Sequence, residues 1–373
     1  MKNALWYVLQ RTGTAHGGLR LLVLLMMWLS FAALGHADCP GGGGRFFRVM
    51  APASTEIIAL GADRTVTWTN SALGGTGRLQ VASTLLNGGN WTHYTDVPIN
   101  AWVMSQRVTM ALVCGGTNSG NDPDFGAYHL EQTAFFMDPH TVTKGQWDTV
   151  RAWAATNGYT DLPVGGGKGP DHPVHSVHWY GAVKWLNARS EMEGLTPAYY
   201  ESASHTLDNV YRTGNLNLDS TWVRWDAGYR LASSTEWEYA ARGGLTGKRF
   251  PWGDSINHHH ANYVANGNDF AYDTSPYVTD TDHPTYNDGV TPQTSPADAF
   301  APNGYGLHGM VGNIWEWVFD WAPAFEGSRR ILRGGSWSER ADRCRIGFIS
   351  NTPPNHTYSG IGFRAVLAPV PAP

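Results

Sequence analysis

An α+β fold with much irregular backbone, preceded by a small antiparallel β domain, is the architecture this sequence predicts, and three observations predict it. The hydrophobic period is two residues from Arg45 to Val113 and becomes helical after a polar, turn-rich stretch. Helix signals nearly vanish again beyond Gly244. The 373-residue chain carries 44 Gly and 17 Trp, a combination suited to many loops pinned by large aromatic rings, with glycine supplying positive φ angles. Charged residues make up 15% against roughly 25% in an average soluble chain, and 42% are hydrophobic, which excludes a charge-rich disordered chain and a coiled coil. A formal charge of −5, with no Lys/Arg stripe, leaves nucleic acid no basic footprint.

The first segment reads as a leader. Lys2, Arg11 and Arg20 precede an apolar run from Leu21 to Leu34, and Gly35-His36-Ala37 places small residues at the −3 and −1 positions of a cleavage site. Residues 1–37 are thus expected to be a secretory signal peptide. An apolar run of about 14 residues is too short to cross roughly 30 Å of hydrocarbon, so no transmembrane span is expected after its removal. Asp38 before Cys39 argues against a lipid anchor, and the expected location is secreted or periplasmic, in the cell envelope. Removing three basic residues leaves 23 against 31 acidic ones, a mature charge of −8. Export permits disulfides, but three cysteines cannot all pair. A Cys39–Cys114 bridge and three reduced thiols both remain open.

Residues 38–122 read as the antiparallel β domain. Val66 and Trp68 alternate with Thr65, Thr67 and Thr69; Leu79 and Val81 follow, and Val108, Met110 and Leu112 close the set. Gly74-Gly75-Thr76-Gly77 is expected to be a hairpin loop between the first two strands. The turn-rich stretch from Gly115 to Pro123 reads as the boundary with a second domain, residues 123–373.

That second domain opens with helices. Thr143 and Gln146 form a capping box ahead of Trp147, Val150 and Ala154 at helical spacing. Another helix is expected from about Tyr180 to Met192, with Ala182, Trp185, Leu186 and Arg189 on one side. Ser233 with Glu236 caps a third, which carries Trp237 and Ala240 and ends at Gly243-Gly244. Residues 245–373 then hold only short strand candidates between Gly, Pro, Asn and Asp.

Several motifs carry no chemistry. Gly304-Tyr305-Gly306-Leu307-His308-Gly309 follows Pro302-Asn303 instead of a strand, which excludes a dinucleotide site. Lys168, in Gly165-Gly166-Gly167-Lys168-Gly169, lacks the spacing of a phosphate loop and reads as part of a flexible surface loop. His172, His175 and His178 fall on extended backbone that sends His175 to the opposite face. His258-His259-His260 reads as a solvated turn.

One further set of motifs is distinctive. Gly304-Tyr305-Gly306-Leu307-His308-Gly309-Met310-Val311-Gly312-Asn313-Ile314-Trp315-Glu316-Trp317, then Leu332-Arg333-Gly334-Gly335-Ser336-Trp337 and Gly362-Phe363-Arg364, resemble the formylglycine-generating-enzyme (sulfatase-modifying factor) family. Tyr229-Arg230-Leu231, the run Glu236 to Gly244, Phe250-Pro251-Trp252-Gly253 and His172-Pro173-Val174 fit the same pattern in order. The resemblance covers about residues 126–368 and implies a C-type-lectin-like α+β fold.

It also implies candidate sites. The family's oxidases bind copper through two cysteines five residues apart; here those positions are Glu339 and Cys344, so the soft two-thiolate site is incomplete. Cys344 is the catalytic candidate only if the chain is an oxidase. An iron-dependent branch carries a helical N-terminal domain, whereas this one reads as β. Calcium is implied by two sets: Gly312 and Ile314 carbonyls with the Glu316 carboxylate, and Asn262 and Asp288 side chains with the carbonyls of Tyr263 and Val290. Gly309 stands where the first set normally opens with Asn or Asp. The segment 337–360 is also similar to the variable targets of diversity-generating retroelements in its composition and C-terminal position, although Glu339 cannot arise from an asparagine codon.

The expected function is ligand binding, with a protein or glycan as partner. Trp337, Ser338, Glu339, Arg340, Arg343, Arg345, Phe348, Ser350, His356 and Tyr358 supply the aromatic, guanidinium and polar groups that concentrate interface energy, on loops held by a scaffold. The alternative is a copper- or non-haem-iron-dependent oxidase built around Cys344 with His308 or His356, such as one generating formylglycine on a sulfatase cysteine.

Overall fold

The computed structural model describes residues 110–368 and, as backbone strands alone, six segments between Phe46 and Arg107. Those six are β1 (Phe46–Met50), β2 (Thr55–Leu60), β3 (Thr65–Asn70), β4 (Gly75–Ala82), β5 (Thr92–Ile99) and β6 (Met104–Arg107). They form two antiparallel three-stranded sheets, ordered β1-β4-β5 and β2-β3-β6. The expected hairpin between the Thr65 and Leu79 strands is absent: β3 pairs with β2 and β6, and Gly75-Thr76-Gly77 lies within β4. Residues 1–37 and Cys39, on which the leader and disulfide expectations fall, lie outside the described residues. Cys114 is disulfide-bonded and Cys344 is free.

The stretch read as a boundary loop is itself structured. Gly116–Asp122 forms β8, a hairpin with β9 (Gly126–Gln132). Just before it, β7 (Ala111–Val113) joins the sheet of the following domain, next to β10 (Phe135–Met137). Polar turn formers can build a hairpin as readily as a linker when both edges pair; alternation over seven residues is the cue that the composition concealed.

The helices follow their caps. In α1 (Lys144–Ala154) both halves of the Thr143/Gln146 capping box are present. In α2 (Trp179–Met192) the His178 side chain accepts from the Gly181 amide. In α3 (Ser234–Ala241) the Ser233/Glu236 box is complete, and Gly243 and Gly244 follow at φ 57° and 85°. The expected single apolar side of α2 understates its burial. Residues 179–190 are all buried, including Lys184, whose ammonium reaches Asp161 (2.7 Å) and the Gly214 carbonyl.

Two small sheets complete the domain. One is ordered β11-β16-β10-β7, with β11 (Tyr229–Arg230) and β16 (Val366–Leu367) antiparallel to their neighbours. The other is ordered β14-β13-β12-β15, from β14 (Ser350–Thr352), β13 (Arg330–Arg333), β12 (Trp315–Trp321) and β15 (Ile361–Gly362), where β15 runs parallel to β12. Beyond Ala241 the described residues contain no α-helix. Tryptophan does the pinning. Trp147 and Trp185 stack at 5.7 Å with Phe363 against both edges, and the indoles of Trp147, Trp179, Trp185 and Trp317 each donate to a backbone carbonyl. Each ring buries a large apolar face; the N–H of Trp147 and Trp317 fixes a loop, and that of Trp179 and Trp185 ties α2 to β12 and α1.

Candidate functional site

The C-terminal loop face is built on β12 and β13. After β13 the chain turns through Gly334 and Gly335 at φ 94° and 78°. A Cβ on Gly335 would stand 2.8 Å from the Cys344 sulfur, so glycine lets the backbone cross directly over that thiol. Cys344 ends the short turn Ala341–Cys344 and has no exposed surface. Burial, and then the charges of Glu339 and Asp342, push its thiol well above its ordinary value. A metal-binding or nucleophilic cysteine needs the thiolate, and these surroundings favour the protonated form.

Around it lies a polar and aromatic rim. Glu339 Oε1 accepts from the Trp315 indole at 3.3 Å, and the Glu339 carbonyl accepts from the Val264 amide at 2.9 Å. The hydroxyls of Ser336, Ser338 and Tyr358 form a chain with spacings of 3.2 and 3.0 Å. Phe348 lies against Trp315 at 6.1 Å, and the Arg343 guanidinium sits 5.1 Å over the Phe348 ring. Trp337 is buried, and its indole nitrogen meets no partner.

The predicted binding residues therefore divide by role. Arg340, Arg343, His356 and Tyr358 are exposed, whereas Ser338, Glu339, Phe348 and Ser350 are half-buried. Arg340 is anchored on Asp269 (2.7 Å) and Asp280 (2.5 Å), and the His356 ring pairs with the Thr352 hydroxyl at 3.0 Å. Arg345 turns away, to Asp124 at 3.3 Å and over the Phe125 ring at the β8–β9 turn. Ser350 pairs in the β13–β14 ladder. Trp315, Phe125 and the exposed Ile349 belong to this neighbourhood and were not expected there. Trp315 stood in a quoted motif; nothing local marks Phe125.

The two calcium sets have donors of their own. Glu316, only 1% exposed, receives Arg364 Nε at 2.8 Å on Oε2 and Arg364 NH2 at 2.7 Å on Oε1, with the Trp237 indole at 2.8 Å. The Gly312 carbonyl accepts from the Ile314 amide. In the other set, Lys168 Nζ bonds to Asp288 Oδ1 at 2.6 Å and to the Val290 carbonyl at 3.4 Å. The Tyr263 carbonyl accepts from His258 Nε2, and the Asn262 amide donates to the Gln293 carbonyl.

The histidines serve the scaffold. His178 caps α2, the His172 ring meets the Thr294 hydroxyl, and the backbone of His175 pairs with that of Gly166. The expected solvated turn at 258–260 is packed instead: His260 stacks on Trp252 at 4.8 Å, and His258 lies 4.7 Å from His283. The His308 ring meets the Phe300 carbonyl. Among the described residues no group of three His, Cys, Asp or Glu side chains is arranged to hold a metal, and no helix is long and apolar enough to cross a membrane.

Three helices, small sheets and long irregular loops give this domain a C-type-lectin-like α+β fold. The family described as the Sulfatase-modifying factor enzyme 1-like domain matches residues 101–369, and the chain belongs to it. "Chaperone protein LppX" of Paenibacillus barcinonensis is 30% identical over 263 residues, covering 69% of this chain and 88% of that protein. The "Formylglycine-generating enzyme" of Mus musculus is 31% identical over 219 residues, and the alignment spans 53% of each chain, about half the enzyme's length. The solved structure of Treponema denticola variable protein 1 shares the fold at a TM-score of 0.51 and 23% identity, covering 72% of this chain and 96% of that one.

Proposed function

We propose that this chain is an exported, non-catalytic member of its family that binds a ligand through the loops between residues 337 and 360. The observation that carries the reading is the pairing of Glu339 with Cys344. A carboxylate stands where the family's oxidases carry a first copper cysteine, and the remaining thiol is fully buried and held protonated. Cu(I) favours soft thiolates, so this donor pair suits copper poorly. The rim supports binding instead: Tyr358, Arg343 and Phe348 are the residue types that concentrate interface energy, and Phe348 rests on Trp315 of β12 with Arg343 over its ring. A relative named as a chaperone favours a polypeptide over a glycan as the ligand.

The test is metal content, by elemental mass spectrometry, of the purified protein and its Cys344→Ser variant, together with oxidation of a cysteine-containing peptide. Neither copper nor iron at stoichiometric level, and no peptide oxidation, is expected of either protein. Stoichiometric copper or iron that disappears with Cys344 would instead establish the oxidase. For binding, a reduced and alkylated unfolded protein serves as the probe. Tyr358→Ala and Arg343→Ala are expected to weaken its capture about tenfold each, on the order of 1.4 kcal/mol. Unchanged capture by both variants removes the 337–360 face from the account. Export is tested by N-terminal sequencing of the secreted protein, expected to begin at Asp38.

A further inference from the structure

The donors of the Asn262–Asp288 set do not fit a calcium ion as they are arranged. Calcium takes about six to eight oxygens at roughly 2.3–2.6 Å. Here Asp288 Oδ1 and the Val290 carbonyl, the two groups such an ion would draw together, converge on Lys168 Nζ. The Tyr263 carbonyl is taken by His258 Nε2 at 3.0 Å. Asn262 donates its NH2 to the Gln293 carbonyl at 2.8 Å and to Asn313 Oδ1, bonds that do not spend its side-chain oxygen, so the lysine is the group that displaces an ion from this set.

The lysine lies on the expected surface loop, which backbone pairing pins at its base. Gly165 takes φ 67°, and the Gly166 amide and carbonyl pair with those of His175 at 2.8 and 2.9 Å. A Cβ on Gly166 would lie 2.2 Å from the His175 ring, so only glycine lets the loop close there. Downstream, the Ala297 amide donates to the Asp171 carbonyl at 2.9 Å, and the His172 ring meets the Thr294 hydroxyl at 3.0 Å. The loop carrying Lys168 is thus closed at its base by Gly166 and His175, and is fastened to the segment 288–297 just beyond the Lys168–Asp288 contact. The second calcium set repeats the pattern: both oxygens of Glu316 are answered by the Arg364 guanidinium.

We infer that Lys168 is a tethered cation, whose ammonium supplies to the Asp288–Val290 turn the positive charge that a calcium ion would otherwise bring. The turn at 288–290 is thereby held without metal. A lysine ammonium is a compact point charge with three donors, suited to gathering the carboxylate and the carbonyl of a single turn. The inference is independent of what the 337–360 face binds.

The test uses the full chain, its melting temperature in EDTA, in calcium and in magnesium, and calorimetric titration with calcium chloride. The wild-type protein is expected to melt identically in all three and to take up no calcium at this site. Lys168→Met is expected to melt lower in EDTA, to recover in calcium but not in magnesium, and to bind one equivalent of calcium. The double variant Lys168→Met/Asp288→Asn, lacking the carboxylate, is expected to bind none. Should Lys168→Met not accumulate folded, its refolding yield with and without calcium gives the same reading. The inference is overturned if the wild type binds calcium in a manner abolished by Asp288→Asn. It is equally overturned if Lys168→Met melts like the wild type in EDTA, or melts lower with no response to calcium.

Discussion

At Glu316 a carboxylate only 1% exposed is held by a guanidinium equally buried, across 48 positions of sequence. Removing one partner leaves an uncompensated buried charge, which costs about 3–5 kcal/mol. Arg364→Met is therefore expected to lower the unfolding free energy by that amount, read as a shifted urea midpoint at unchanged slope. Cys344 makes the opposite prediction. With no exposed surface and a thiol favoured in its protonated form, it is expected to resist a water-soluble thiol reagent in native buffer and to react at once in denaturant. Both residues stood out in the sequence, Glu316 within a quoted motif and Cys344 through its spacing from Ser336. What the sequence could not convey was their partners. Arg364 and the turn over Cys344 are brought in by pairing between distant strands, and no local spacing encodes that.

Elements differ in how much of themselves they announce. The capping boxes of α1 and α3 were legible because four consecutive residues suffice to make them. Thr143→Ala is expected to cost about 1 kcal/mol, measurable by thermal unfolding, because it strands an amide at the first turn of α1. The buried all-round character of α2 was less legible, since only Ala182, Trp185, Leu186 and Arg189 were placed on its packed side and polar Lys184 and Asn187 give no sign of burial. Both are fully buried, with Asn187 bonding to the carbonyls of Tyr199 and Tyr211. The hairpin β8–β9 was taken for a boundary because Asn, Ser, Gly and Asp are turn formers and strand residues alike once a partner is at hand. Within the candidate site, Arg345 was placed on the binding face, and the tip of that hairpin claims it through Asp124.

Across the whole molecule, the sequence resolves the α+β class and the scarcity of helix after Gly244. The loop 245–314 stays opaque because its order comes from ring packing and ion pairs between remote residues, such as Arg340 with Asp269 and Asp280. Those packed rings carry a consequence for pH. Seven histidines, among them His258, His283 and His308, have pKa values lowered from 6.5, chiefly by burial. Below that value the unfolded chain binds more protons than the folded one, so stability falls as pH drops through the window from 6.5 to the lower folded values. The melting temperature is expected to decline steadily between pH 7 and pH 5; a flat profile would contradict the packing described for these rings. The order of the strands carries another consequence. Strand β16 lies between β11 and β10, and β15 lies alongside β12, although both follow every other strand in the chain. A polypeptide emerging from the ribosome cannot complete either sheet until residues 361–367 have appeared, so the last few residues made are the ones that close the domain.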